Sequence, residues 1–340
     1  MSERESRPPR PPFRRRLARF VAGLAVVLVL AAWVVQELWG ESTWLTAFVT
    51  YAPPLLYLTL PAGALLLALL CFDLRAVGYS LLGGLLCLAT VVRPTVRLAA
   101  PQAPATPTIC VMTWNVHDRL DRLDEIRAAI FAEDPDIVCL QEANAPRFAE
   151  CWPRADSVQT GTGLILTRGR IEDSRVIRLV EEDHYLRSLM EARVKLPEGT
   201  VDVLAVHLYS YQLAAALKRP SKDAARDLAE GAVAMRTVQV DRILDWVESH
   251  RRRAIVAGDF NTPPRGRLYR RLASLLTDGF AAAGSGFGWT FPSSHPLLRI
   301  DYVWTTPDLR PLRCHVPPGG PSDHLPVVVE VALPPAQGPP

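Results

Sequence analysis

The chain has 340 residues, 49% of them hydrophobic, and carries 38 basic against 35 acidic residues for a net charge of +3. Ten of the bases but only five of the acids fall within residues 1–106, leaving 28 bases and 30 acids for the remainder. The overall basicity therefore belongs to the N-terminal arm and is no argument for a nucleic-acid-binding surface on the rest, and six cysteines without CxxC spacing or a Cys/His cluster argue against a zinc site.

Residues 1–19 form a basic arm with Arg7, Arg10, Arg14, Arg15, Arg16 and Arg19, followed by three apolar stretches at about 20–38, 54–72 and 76–92. Their charge-free cores, Phe20–Val35, Pro54–Phe72 and Ala76–Val92, approach the roughly 20 residues that a bilayer-spanning helix needs. A cleaved signal peptide would explain only the first stretch, and its flank lacks a small-residue cleavage pattern. Trp33, Trp39, Trp44 and Tyr51 sit where interfacial aromatics belong. Arginines precede the first stretch, while the loop after it has Glu37 and Glu41 and no base; this asymmetry puts the N-terminus in the cytoplasm. Three crossings then place the rest outside the cytoplasm, as part of a multi-pass cell-membrane protein. A third stretch that stayed interfacial, between Arg75 and Arg93, would reverse that side. Residues 93–107, rich in Ala and Pro from Ala99, read as a short stiff spacer.

From Thr108 strand-like and helix-like segments alternate, as in a single α/β layered domain over 108–333, with 334–340 a disordered tail. Strands are expected at Thr108–Trp114, Ile137–Leu140, Gly163–Thr167, Glu191–Leu196, Val201–His207, Ala254–Ala257, Ile300–Trp304 and Pro326–Val331. A helix over Asp121–Ala132 has Leu123, Ile126 and Ile130 on one face and is stopped by Pro135. A long helix over Asp223–Ser249 presents Leu228, Ala232, Met235, Val238, Ile243, Trp246 and Val247 as core contacts. Cys110 and Cys139 fall inside strands; Cys151 and Cys314 are left available for a disulfide.

Polar residues gather at the strand ends: Trp114-Asn115, Gln141-Glu142, His207, Gly258-Asp259-Phe260-Asn261, Arg299-Ile300-Asp301-Tyr302 and Ser322-Asp323-His324. Loops at such ends present side chains while the sheet holds their backbones. Phosphate ester hydrolysis needs a cation for the non-bridging oxygens, a base for water and a charge or acid at the leaving group. Glu142 offers a hard carboxylate oxygen and Asn115 a neutral one, the donors that Mg2+ prefers. Asp259 and Asn261, one residue apart on a tight turn, can address the attacking water and the phosphate. His324 is the candidate base or phosphate contact, with Asp301 as the carboxylate that sets its tautomer. His207 can hydrogen-bond phosphate.

In this order the six pieces resemble the endonuclease/exonuclease/phosphatase family, which includes pancreatic-type deoxyribonucleases, apurinic endonucleases, bacterial sphingomyelinases and inositol-phosphate phosphatases. The resemblance runs from about Thr108 to Val331 and implies a four-layered α-β-β-α sandwich. It further implies a Mg2+ (or Mn2+) cofactor at Glu142, with Asn115 and Asp323 near the metal. His207 sides with the deoxyribonuclease-like and sphingomyelinase-like members, although Tyr209 and Tyr211 follow closely and strand alternation could present Tyr209 on the same face. Arg187 is open between a phosphate clamp and a solvated side chain. His117, His184, His250, His295 and His315 belong to no motif piece and read as surface or loop residues.

Such a site settles reaction type, not substrate. The near-neutral domain and the bilayer tether favour a membrane-proximal phosphoester, a phospholipid or polyprenyl-linked phosphate, over nucleic acid. The architecture resembles membrane proteins of bacterial glycopeptide-resistance clusters. The alternatives are an anchored nuclease and a catalytically silent membrane adaptor; an adaptor has no physical need for both a metal carboxylate and an Asp-His pair.

Overall fold

The computed structural model describes residues 11–97, 106–153, 155–160, 163–177, 189–210, 221–250 and 253–334. Arg187, His184, Tyr211, the tail beyond 334 and parts of the basic arm and spacer lie outside them. The chain divides into two compact units, one of residues 1–36 and 52–94, the other of residues 37–51 and 95–340.

The first unit contains α1 (Phe13–Leu38), α3 (Pro54–Leu70) and α4 (Leu74–Cys87), the last extended by a π turn to Val92. Its packing is inverted relative to a water-soluble bundle. Ala18, Ala22, Ala25, Ala64, Ala68 and Ala76 are buried between helices, while Phe20, Leu24, Leu66, Leu69, Leu81 and Leu85 face outward. Small residues that let helices approach, with large apolar ones outside, suit lipid as the surrounding medium. Arg19 is neutralised by Asp73 at 2.8 Å, and Asp73 also caps α4 by accepting from the Ala76 amide. Phe13–Leu38 and Leu74–Val92 are each long and apolar enough to cross a membrane. The middle stretch is shorter than expected: α3 has 17 residues, the short end of the range of about 17–25 that a span needs, and α2 (Trp44–Tyr51), which precedes it, belongs to the second unit.

The second unit is built on two six-stranded sheets. The first has the order β11-β12-β1-β2-β4-β3 and the second β5-β6-β7-β8-β10-β9. The strands are β1 (Thr108–Asn115), β2 (Ile137–Gln141), β3 (Asp156–Thr160), β4 (Gly163–Thr167), β5 (Arg170–Ile177), β6 (Leu189–Leu196), β7 (Gly199–His207), β8 (Ala254–Asp259), β9 (Thr277–Asp278), β10 (Asp301–Thr305), β11 (Arg310–His315) and β12 (Val327–Ala332). The inner faces interdigitate through Val111, Ile137, Ile165, Val203, Ile255 and Val329. On the outer face of the first sheet, Met112, Trp114, Leu140 and Leu164 receive Leu123, Ile126 and Ile130 of α5 (Leu123–Glu133). On the outer face of the second, Leu204, Val256 and Trp304 receive Val240, Ile243 and Trp246 of α6 (Lys222–Ser249) and Leu268 and Leu272 of α7 (Gly266–Ala273). Three apolar layers between four strata make the α-β-β-α sandwich.

Each sheet holds one parallel pair bridged by a helix, β1-α5-β2 and β7-α6-β8, as a parallel crossover requires. The carboxyl ends of both pairs are the ends that carry Asn115, Gln141, His207 and Asp259.

Some expectations fail locally. Val238 is 42% exposed; the buried stripe of α6 is Ala229, Ala232, Arg236, Gln239, Val240 and Ile243. Arg236 and Gln239 occupy the inner face, where Arg236 reaches the Phe260 carbonyl and Gln239 accepts the Tyr209 amide; Met235 is half-buried and Val238 faces solvent. Cys151 and Cys314 are unpaired thiols buried in different apolar layers.

The segment between the first two apolar helices folds with this second unit. The Glu41 carboxylate, 3% exposed, accepts the amides of Arg267 (3.0 Å) and Leu268 at the first turn of α7, where a carboxylate satisfies free N–H groups and the helix dipole. Gly266 adopts φ +86°, and a Cβ there would lie 2.1 Å from Glu41 Oε2. Arg265 Nε donates to the Thr50 carbonyl at 2.7 Å, and Ala47 and Tyr51 of α2 pack on Ala229 and Ala232 of α6.

Candidate active site

Strand register alone assembles three of the candidate site residues. His207 pairs with Asp259 across the parallel β7–β8 ladder, and Asp259 with Asp301 across the antiparallel β8–β10 ladder. Three candidate side chains thus stand in one row, each pair about 5 Å apart at Cβ. Because β10 runs opposite to β8, Asp301 begins its strand while Asp259 ends its own. Likewise β12 is antiparallel to β1, so the Ser322–His324 segment just before β12 meets Asn115 at the end of β1.

That meeting is pinned by hydrogen bonds: Ser322 Oγ donates to the Asn115 carbonyl (2.6 Å), and Trp114 Nε1 donates to the His324 carbonyl (2.9 Å). Gly258 is obligatory at φ +153°, since a Cβ would lie 1.9 Å from the Val206 carbonyl oxygen.

Asp259 is 1% exposed and saturated with donors. Its Oδ1 accepts the Asn261 amide at 2.8 Å; its Oδ2 accepts Asn115 Nδ2 at 3.1 Å and Asn261 Nδ2 at 3.2 Å. His207 Nε2 and His324 Nε2 approach the same Oδ2 at 3.7 and 3.8 Å. Burial, and then repulsion from Asp301, raise the Asp259 pKa above the usual carboxylate range. His324 Nδ1 faces Asp301 Oδ2 at 3.0 Å. Burial opposes charge on this imidazole, but Asp301 and Asp259 outweigh it and push its pKa up to about 10. His324 is therefore an imidazolium at neutral pH. The Phe291 ring packs against it with centroids 4.8 Å apart.

Glu142 lies just past β2 with φ +53° and its side chain 31% exposed. Its Oε1 accepts Asn115 Nδ2 at 3.1 Å, with His207 Nε2 at 3.6 Å. Asp323 is 42% exposed on the facing loop. Sequence reasoning missed His117, which stands between the two: its Nδ1 is 3.4 Å from Glu142 Oε2 and 3.6 Å from Asp323 Oδ1. The only sequence signal was its place two residues beyond Asn115. Arg299 faces away from the site and is held by Asp278 at 2.7 Å.

Asn115, Glu142, His207, Asp259, Asn261, Asp301, Asp323 and His324 thus form one connected constellation at one end of both sheets. Asp259, Asp301 and His324 also offer ligand atoms within 4.8 Å of one another. Since His324 Nδ1 is committed to Asp301, this trio suits proton handling better than ligation.

The family model of the endonuclease/exonuclease/phosphatase family matches residues 112–324. The chain belongs to this family. Solved structures similar to it include an endonuclease/exonuclease/phosphatase family protein from Bacteroides thetaiotaomicron, with 18% identity, 68% of this chain and 97% of that chain covered, and a TM-score of 0.53. A mannosyl-6-phosphatase from the same organism gives 18% identity, 66% and 100% coverage and a TM-score of 0.52. An endonuclease/exonuclease/phosphatase from Beutenbergia cavernae gives 25% identity, 66% and 72% coverage and a TM-score of 0.49. No curated protein matches the chain. The fold of the second unit is the phosphoesterase fold of the endonuclease/exonuclease/phosphatase family.

Proposed function

We propose that the chain is a membrane-anchored, divalent-metal-dependent hydrolase of a membrane-proximal phosphoester, a phospholipid or a polyprenyl-linked phosphate. The observation that carries this reading is the row His207–Asp259–Asp301, closed by His324 and joined through Asn115 to Glu142. Glu142 and Asp323 would hold Mg2+ or Mn2+, with Asn115 beside them. The fit rests on their chemistry: two half-exposed carboxylates open to solvent, facing the donors of a phosphate site. A cation there neutralises non-bridging oxygens of the phosphate.

The chain's own residues supply the rest. Asp259, oriented by three amide donors and raised in pKa, is suited to take a proton from the attacking water. His324, charged and fixed by Asp301, contacts a phosphate oxygen and can deliver a proton to the leaving group. His207 and Asn261 donate to the remaining oxygens; Asn261 is steadied through Nδ2 to the Leu208 carbonyl at 3.0 Å.

The loop 37–51 supports an extracytoplasmic site. A segment that folds with the catalytic unit lies on the same side of the bilayer, which requires an even number of crossings between Tyr51 and Thr95. With two, the helices beginning at Pro54 and Leu74 both cross, and the arginine-rich N-terminus puts the site outside. An alkaline phosphatase fusion after Pro340 should be active and a fluorescent-protein fusion dark; the reverse would overturn this orientation.

Full-length protein in nanodiscs with Mg2+ or Mn2+, offered plasmid DNA, sphingomyelin, phosphatidylinositol phosphates and undecaprenyl phosphates, should turn over a lipid-linked substrate. DNA cleavage without lipid turnover would overturn the substrate class and favour an anchored nuclease.

A further inference from the structure

We infer that His117 is a ligand of the divalent cation, taking the place of the Asn115 carbonyl oxygen, and that the site therefore favours Mn2+ over Mg2+. This rests on the reading that a cation is held at Glu142.

The Asn115 amide faces three partners. Its Nδ2 lies 3.1 Å from both Glu142 Oε1 and Asp259 Oδ2, and its Oδ1 accepts the backbone N–H of His117 at 3.0 Å. Chemistry fixes this orientation. Turning the amide over would set its oxygen against two carboxylates and leave the His117 N–H facing an NH2 group. The Asn115 oxygen is thus spent on the backbone, and Asn115 acts as a bridge between two carboxylates.

Two imidazoles face Glu142, the buried His207 at Oε1 and the exposed His117 at Oε2. The turns after β1 and β2 are zipped together: Val116 N donates to the Gln141 carbonyl and Asp118 N to the Glu142 carbonyl, each at 2.9 Å. His117 and Asp118 both take left-handed backbone angles, φ +48° and +50°, which swing the imidazole over Glu142. Its Nδ1 stands 3.4 Å from Glu142 Oε2 and 3.6 Å from Asp323 Oδ1. Neighbouring donors around a six-coordinate cation with bonds near 2.1 Å stand about 3.0 Å apart, so Glu142 and Asp323 must each draw closer to His117, and to one another, to share an ion with it. The imidazole is 56% exposed, leaving an entry path and open coordination positions for water and phosphate.

The donor set carries the selectivity. Mg2+ demands oxygen ligands and near-ideal octahedral geometry. Imidazole suits the later divalent ions, and at a mixed carboxylate–imidazole site Mn2+ is held without losing its taste for oxygen. A protonated His117 merely paired with two acids is the competing arrangement, and metal titration separates the two.

The test uses the full chain in nanodiscs, stripped with chelator and titrated calorimetrically with Mn2+ and with Mg2+, alongside pulsed electron paramagnetic resonance of the Mn2+-loaded protein. Wild type should bind Mn2+ more tightly than Mg2+ and show 14N coupling to the ion. His117→Ala and His117→Gln should lose about 10–100-fold in Mn2+ affinity with a smaller change for Mg2+, and the 14N coupling should vanish in both while persisting in His207→Ala. Unchanged Mn2+ affinity and coupling in the His117 variants would overturn this inference and leave the metal at Glu142 standing. A wild type that binds neither ion, or a Glu142→Gln variant that binds both as tightly as wild type, would overturn the metal reading itself.

Discussion

The side chains of Asp259, Asp301 and His324 are 2%, 0% and 8% exposed, whereas those of Glu142, Asp323 and His117 are 31%, 42% and 56% exposed. Asp259 and Asp301 sit on strands and are locked by register, and His324, just before β12, is held by Asp301. The second trio sits on turns at the rim. In the interior an ionised group survives only with partners, so these side chains are hydrogen-bonded, and the pKa values of Asp259 and His324 are raised. At the rim water screens the charges, and donors can exchange water for an ion. Catalysis of phosphoester cleavage needs both regimes: a rigid place to move protons and an open place to receive cation and substrate.

The sharpest way to break this division is to damage each half and ask whether added metal repairs it. His324→Ala should lower kcat about 10^2–10^4-fold on the preferred substrate, with no recovery at higher Mn2+; recovery would make His324 part of the metal half. Glu142→Gln should lose about 10–100-fold in metal affinity, seen as a rise in the Mn2+ concentration needed for half-maximal rate, with partial recovery at saturation. Equal metal response in both variants would erase the distinction.

Stability against pH gives a subtler contrast. The unfolded chain releases the His324 proton near pH 6.5, the folded chain near 10. The folded state therefore holds more protons between these values, and its His324 contribution is full below about 6.5 and lost as pH rises towards 10. Unfolding midpoints of His324→Gln should fall less steeply than wild type between pH 7 and 10; parallel curves would contradict a charged, buried His324.

The smallest effect belongs to the loop 37–51. The Tyr51 ring lies 4.8 Å from the Arg236 guanidinium, whose Nη2 reaches the Phe260 carbonyl and the Thr262 hydroxyl on either side of Asn261. Tyr51→Ala should destabilise the catalytic unit by about 1–2 kcal/mol, read as a lower midpoint with KM less affected than kcat. No change in either would detach this loop from the site.

What the sequence disclosed follows from these same physical differences. The six motif pieces were legible because register-locked strand ends leave short, fixed-order signatures such as Gly258–Asn261. His117 was not, because its neighbour Glu142 is 25 positions away and reaches it only through the β1–β2 pairing. Arg236 and Gln239 were hidden by the assumption that a helix's buried stripe is apolar; Gln239 Oε1 in fact accepts the Tyr209 amide at 2.8 Å. The strands β3 and β5 carry no apolar run, since they are largely solvated. The Trp44–Tyr51 helix resembled membrane-flanking sequence, although its small face packs on α6.

If Glu142 holds the cation at the rim, turnover must depend on metal and on that side chain. Chelator-stripped full-length protein in nanodiscs should be inactive on its preferred lipid-linked phosphoester and regain turnover on titration with Mn2+, with the half-maximal concentration raised in Glu142→Gln. Full turnover in the stripped protein, or superimposable titrations for the two proteins, would contradict this dependence.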